Sequence, residues 1–108
     1  MIEIACNYFE AFSNKDLEKL SQIYSEDVSL ADWEPLFFDG KNSVLEANKN
    51  LFDSVDSVNI VVKRIGLNDK NVFAEIDILI NNTIQLFVVD ILEFDEFNQI
   101  KSIRAYKR

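Results

Sequence analysis

A change of hydrophobic period near residue 57 limits this chain more than any other feature. Before it, apolar residues recur at helical spacing. Ile2, Ala5, Cys6, Phe9 and Phe12 form one stripe. Leu17, Leu20, Ile23 and Tyr24 form a second, and Val44, Leu45, Ala47, Leu51 and Phe52 a third. After it the period is two: Val58, Ile60 and Val62, then Val72, Ala74, Ile76, Ile78 and Ile80. A stripe at the first spacing buries one side of a helix; alternation buries one face of a strand. Helices first and hairpin strands after define an α+β domain, with three N-terminal helices packed on a curved, mainly antiparallel sheet.

Local signals divide the chain further. Ser13 with Asp16 three residues on resembles a capping box opening the second helix. Val28 to Trp33 alternates and predicts a short strand. Pro35 and Gly40 mark a loop, and a third helix is expected from about Ser43 to Phe52. The next strand is expected to end at Gly66, with a turn over Asn68 to Asn71. Asn81-Asn82 suits a two-residue hairpin turn, since Asn tolerates positive φ. A long strand from Thr83 to Phe94, a turn from Asp95 to Asn98 and a strand from Ile100 to Tyr106 complete the pattern.

At 108 residues the expectation is one domain, residues 1–108, large enough for a core or a modest pocket. The net charge of −8 argues against nucleic acid and anionic membrane as partners. The start Met1-Ile2-Glu3-Ile4 has no basic leader character, and no apolar run approaches the ~20 residues of a membrane span. A lone Cys6 forms no intrachain disulfide, so a reducing cytoplasmic location is expected, with Cys6 as a small buried residue. Histidine is absent, which removes the Ser-His-Asp triad, the Cys-His pair and histidine-bearing zinc sites. Two glycines leave no phosphate-cradling loop. No metal or cofactor is expected, and acid–base chemistry falls to Asp, Glu, Tyr or Lys.

Asp90 is the residue that asks for an explanation. In strand phase it shares a face with Ile84, Leu86, Val88, Leu92 and Phe94. A carboxylate there is paired, binds a polar ligand or takes up a proton. A neutral carboxylic acid in an apolar wall donates a hydrogen bond that can hold an oxyanion. The alternative is a strand-end Asp that reaches water. On the other face Phe87, Val89 and Ile91 are apolar enough for a homodimer contact. Glu75 and Asp77, with Lys63 opposite, read as a solvated face.

The element order and four local strings resemble the nuclear transport factor 2-like (cystatin-like) superfamily with its cone-shaped fold, of SnoaL-like and ketosteroid isomerase-like type. The strings are Tyr8-Phe9-Glu10-Ala11-Phe12 with Asp16-Leu17, Tyr24-Ser25-Glu26-Asp27-Val28, Asp39-Gly40-Lys41, and Asp90-Ile91-Leu92-Glu93-Phe94-Asp95. The fold hosts enzymes, ligand binders and association domains, so it does not by itself name a function. Laid on the steroid Δ5-3-ketoisomerases, the resemblance implies Tyr8 and protonated Asp90 as oxyanion donors and Asp32 as the base. Tyr24 falls on a supporting Tyr. Asn48 stands where a second supporting Tyr is found, and Trp33 where Pro usually follows the base. The implied partner is a small apolar or carbonyl-bearing molecule, with Tyr24, Trp33, Asn48 and Val88 contacting it. Tyr8, Asp32 and Asp90 are then expected to line one apolar cavity closed by the third helix.

The duller roles are equally concrete. Tyr8 can be a helix-edge aromatic, Asp32 a turn cap, Tyr24 the residue closing helix two, and Trp33 a pocket wall or an interface filler. Asn48 can face a cavity or satisfy a loop carbonyl. The other functions the fold allows are ligand binding without chemistry and homodimerisation. An epoxide hydrolase-like site needs an Arg between two Asp residues, and only Arg64, Arg104 and Arg108 are present. Dehydratases of this fold that use His are excluded.

Overall fold

The computed structural model describes residues 1–34 and 36–108; Pro35, expected in a loop, lies outside the described residues. The elements are α1 (Ile2–Ser13), α2 (Leu17–Ile23), β1 (Tyr24–Ala31), β2 (Phe37–Asp39), α3 (Lys41–Ser54), β3 (Val58–Asn68), β4 (Asn71–Ile80), β5 (Ile84–Phe94) and β6 (Ile100–Lys107). Six strands form one sheet in the order β2-β1-β6-β5-β4-β3. Every neighbouring pair is antiparallel except β1 with β6, which is parallel. The sheet curves into a cone around the helices: α1 packs on β3, and α3 packs on β1 and β2. No helix among the described residues is long and apolar enough to cross a membrane.

Alternation fixes the register of β5. Val88, Leu92 and Phe94 are buried with Asp90, while Phe87 and Val89 are exposed on the opposite face. A slip by one residue would expose Asp90 but also those three apolar side chains. Each contributes about 1.5–3 kcal/mol when buried. Together they outweigh the cost of burying one neutralised carboxyl, so the strand keeps Asp90 inside.

The turns follow residue chemistry. Asn81 and Asn82 both have positive φ, 54° and 58°, and Thr83 N–H donates to the Ile80 carbonyl at 3.1 Å. Because Ile80 pairs with Ile84, the loop holds three residues rather than the expected two. Gly40 has φ of 93° at the start of α3, where any side chain would be strained.

Four local expectations are corrected. Ser13 does not open α2; it remains the last residue of α1. Its Oγ donates to the Phe9 carbonyl at 3.0 Å and accepts the Ile60 N–H at 2.9 Å. Asp16 is the cap, accepting the Lys19 N–H at 3.0 Å. Strand β2 was hidden because three residues between Pro35 and Gly40 are too few to show a period. Tyr24 begins β1 instead of closing α2 as a helical residue, its φ and ψ being extended. Cys6 is exposed, because α1 turns Ala5, Tyr8, Phe9 and Ala11 inward and leaves Cys6 on the outer side.

Between α1 and α2 the chain reverses at Lys15, with φ of 56°. This places its ammonium on the end of α3. Lys15 Nζ donates to the carbonyls of Phe52, Val55 and Asp56 at 2.8, 2.6 and 3.2 Å. Carbonyls left over at a helix C-terminus carry partial negative charge, so a cation there satisfies and stabilises them.

Candidate functional site

A cavity of about 550 Å³ opens inside the cone. Tyr8 and Phe12 reach it from α1, Leu30 from β1, Phe38 from β2, and Asn48 and Leu51 from α3. Ile60, Ile78, Leu86 and Ile103 represent the other four strands. Asp90 stands in this wall, and Asp32, Trp33 and Glu34 follow the end of β1 at its edge. Tyr8, Asp32, Asp90, Trp33 and Asn48 therefore share one cavity, with α3 along one side.

Asp90 is 6% exposed, and no side-chain hydrogen bond reaches its carboxyl among the described residues. Among the described residues no wholly sealed side-chain oxygen or nitrogen lacks a partner, and Asp90 lines the cavity. Burial pushes the pKa of this carboxyl up to about 7, because the charged form loses its hydration. Near neutral pH a large fraction of Asp90 is the neutral acid, which can donate a hydrogen bond.

Tyr8 is the second potential donor. It is buried, and its ring lies 6.2 Å from that of Tyr24 between centroids. Burial raises the Tyr8 pKa well above the usual phenol value, and charge on Tyr24 or Asp90 would raise it further. The phenol stays protonated. No hydrogen bond joins Tyr8 to Asp90 among the described residues, and both line the same cavity.

Tyr24 does not line the cavity. It is completely buried behind Tyr8, and its hydroxyl donates to Asn48 Oδ1 at 2.6 Å. Burial raises its pKa too, with the adjacent Tyr8 hydroxyl partly opposing. Tyr24 holds Asn48 against the cavity wall, an indirect role in place of the expected ligand contact. Val88 does not line the cavity either. It is packed into the core, two residues from Asp90 on the same face of β5.

Asp32 is half-buried just beyond β1, and its Oδ1 accepts the Glu34 N–H at 3.0 Å. That bond is the turn cap the sequence allowed, and the other carboxylate oxygen remains free of side-chain bonds. Partial burial raises the Asp32 pKa, the Glu34 N–H opposes, and the Glu34 charge raises it further. A carboxylate raised in this way is a stronger base.

Glu46 and Asn50 also line the cavity and were not singled out from the sequence. Ser43, Glu46, Ala47, Asn50 and Leu51 form one stripe of α3 at i, i+3, i+4, i+7 and i+8 along the cavity. Its mixed polar and small character is the signal that could have found it, since a core stripe would be uniformly apolar. No Arg lines the cavity among the described residues.

The curved α+β cone is the fold of the nuclear transport factor 2-like class. Within that class the chain belongs to the SnoaL-like domain family, whose model matches residues 6–103. Solved structures carry the same fold. An epoxide hydrolase of M. tuberculosis, of LEH-like type, is 17% identical with a TM-score of 0.88, covering 99% of this chain and 81% of its own. A protein of ketosteroid isomerase-like fold from Catenulispora acidiphila DSM 44928, solved with trimethylamine, is 13% identical with a TM-score of 0.87, covering 96% and 84%. An NTF2-like protein of unknown function from Cytophaga hutchinsonii ATCC 33406 is 11% identical with a TM-score of 0.81, covering 97% and 87%. No curated protein sequence matches the chain significantly.

Proposed function

We propose that this SnoaL-like protein moves a proton within an apolar ketone, in the manner of a ketosteroid isomerase. The observation that carries the proposal is Asp90: a buried carboxyl with no side-chain hydrogen bond among the described residues, in the wall of a cavity that Tyr8 also lines. Such a group costs stability when it ionises and suits a ligand oxygen.

The ketone oxygen accepts hydrogen bonds from Tyr8 and from the neutral form of Asp90. The free oxygen of Asp32 removes a proton from the carbon beside the carbonyl. In a ketone that carries a β,γ double bond, the electron pair moves onto the ketone oxygen to form a dienolate, held by the two donors as its charge develops. Asp32 then returns the proton to a different carbon, and the double bond has moved. Nothing is oxidised and no co-reactant is consumed. Binding without chemistry is the second reading. It is favoured by the place of Asp32, which caps the turn after β1 at the cavity edge.

The test is proton–deuterium exchange next to the carbonyl of cyclic ketones, followed by NMR with purified protein. Exchange above the buffer rate is expected, abolished in Asp32→Asn with binding retained. Asp90→Asn is expected to lose less, since an amide still donates. Ketone binding with no exchange above buffer rejects the enzyme and leaves a ligand-binding protein.

A further inference from the structure

The charge pattern of this cavity bears on which molecules enter it. Asp32, Glu34, Glu46 and Asp90 all line it, and no Lys or Arg does among the described residues. The four are layered. Asp90 lies deep, 6% exposed, unpartnered and open to the interior. Glu34 and Glu46 are exposed at the edge, one beyond β1 and one on α3. Neither forms an ion pair among the described residues, while cations nearby are engaged elsewhere. Lys41 pairs with Glu26 at 3.3 Å and bonds the Ser21 carbonyl, and Lys49 pairs with Asp53. Lys107 Nζ stands 6.0 Å from the centroid of the Trp33 ring and is not part of the lining.

Trp33 is 40% exposed at the same edge. Aromatic faces attract cations, and an edge lined by one sign of charge raises the local concentration of the opposite sign. An anion entering here meets uncompensated carboxylates on two elements and finds no counter-charge inside.

We propose that the cavity selects apolar carbonyl compounds that carry a cationic amine at the end away from the carbonyl, and turns away carboxylates and phosphates. The carbonyl faces Tyr8 and Asp90, the apolar body fills the cone, and the ammonium rests among Trp33, Glu34 and Glu46. This rests on the reading of the cavity as a carbonyl-binding site.

Three tetralones of matched size test it, carrying a trimethylammonium, a tert-butyl or a carboxylate group on the distal ring. Fluorescence of Trp33, the single tryptophan, reports binding at low and high salt. At low salt the trimethylammonium compound is expected to bind tightest and the carboxylate weakest. Steps of about 3- to 10-fold are expected, what two or three exposed charge pairs supply. High salt compresses the steps. The double variant Glu34→Gln, Glu46→Gln, changed only at exposed positions, is expected to lose most of the preference for trimethylammonium while still binding the tert-butyl compound. Equal affinity for all three, tightest binding of the carboxylate, or an unchanged preference in the double variant overturns charge selection and leaves the carbonyl site standing. Binding of none of the three overturns both.

Discussion

Replacing Asp90 with Asn stabilises this fold, by an amount that grows with pH. The Asp90 carboxyl titrates near 7 in the folded protein and near 3.8 when unfolded. The folded value is the higher one, so the folded state holds the proton more tightly. The contribution to stability is therefore complete below pH 3.8, is lost as pH rises, and is gone above 7. A gap of about 3 pKa units at 1.36 kcal/mol each is about 4 kcal/mol. At pH 5 only the unfolded chain has lost the proton, and the penalty is about 2 kcal/mol; by pH 8.5 it reaches about 4 kcal/mol. Asparagine is close in shape and never ionises, so Asp90→Asn removes the penalty. Urea unfolding of both proteins from pH 5 to pH 8.5 measures it. The expected advantage of the variant widens by about 2–3 kcal/mol across that range, with equal m-values. An advantage that stays flat with pH refutes the reasoning, because Asp90 would then carry the same charge folded and unfolded.

Other outcomes follow from single contacts. Tyr24→Phe removes the only side-chain partner of Asn48 Oδ1 among the described residues, and should cost about 1–3 kcal/mol in urea unfolding. Lys15→Met uncaps the end of α3 and should cost about 1–2 kcal/mol, with thermal unfolding followed by circular dichroism as the measure. Phe73, Phe87, Val89 and Tyr106 are exposed apolar residues on β4, β5 and β6, and a homodimer through this sheet face is expected. Sedimentation at micromolar concentration should find a dimer, and Val89→Lys should return it to monomer; a monomeric parent protein would defeat the expectation. In the exchange assay, Asp32→Asn should abolish turnover and spare binding.

The fold was legible because its long strands repeat a period of two through many residues. Val72, Ala74 and Ile76 face inward on β4, and Val88, Asp90 and Leu92 do so on β5. Asp90 could be placed in an apolar wall for the same reason: five same-face residues vote on its phase. Asp32 and Trp33 could be placed only at a strand end, where phase runs out. Residues of β2 offered too short a record to read. The distinction between Val88, sealed in the core, and Leu86, on the cavity, depends on how the cone tapers, which alternation along one strand does not encode. Glu46 escaped notice because an acid on a helix surface looks like solvation until the sheet opposite is known.

The parallel pairing of β1 with β6 has a consequence for the order of assembly. Leu30 sits beside Ile103 and Ala31 beside Arg104, partners from opposite ends of the sequence. The hairpins from β3 to β5 can zip locally, but β1 and β2 have no place in the sheet until β6 has been made. On the ribosome the N-terminal half therefore waits, its helices formed or fraying, for the last strand to leave the exit tunnel. The acid after β1 and the acid on β5 meet only at that final step, so a nascent or nicked chain short of β6 holds the parts of the pocket without holding a pocket.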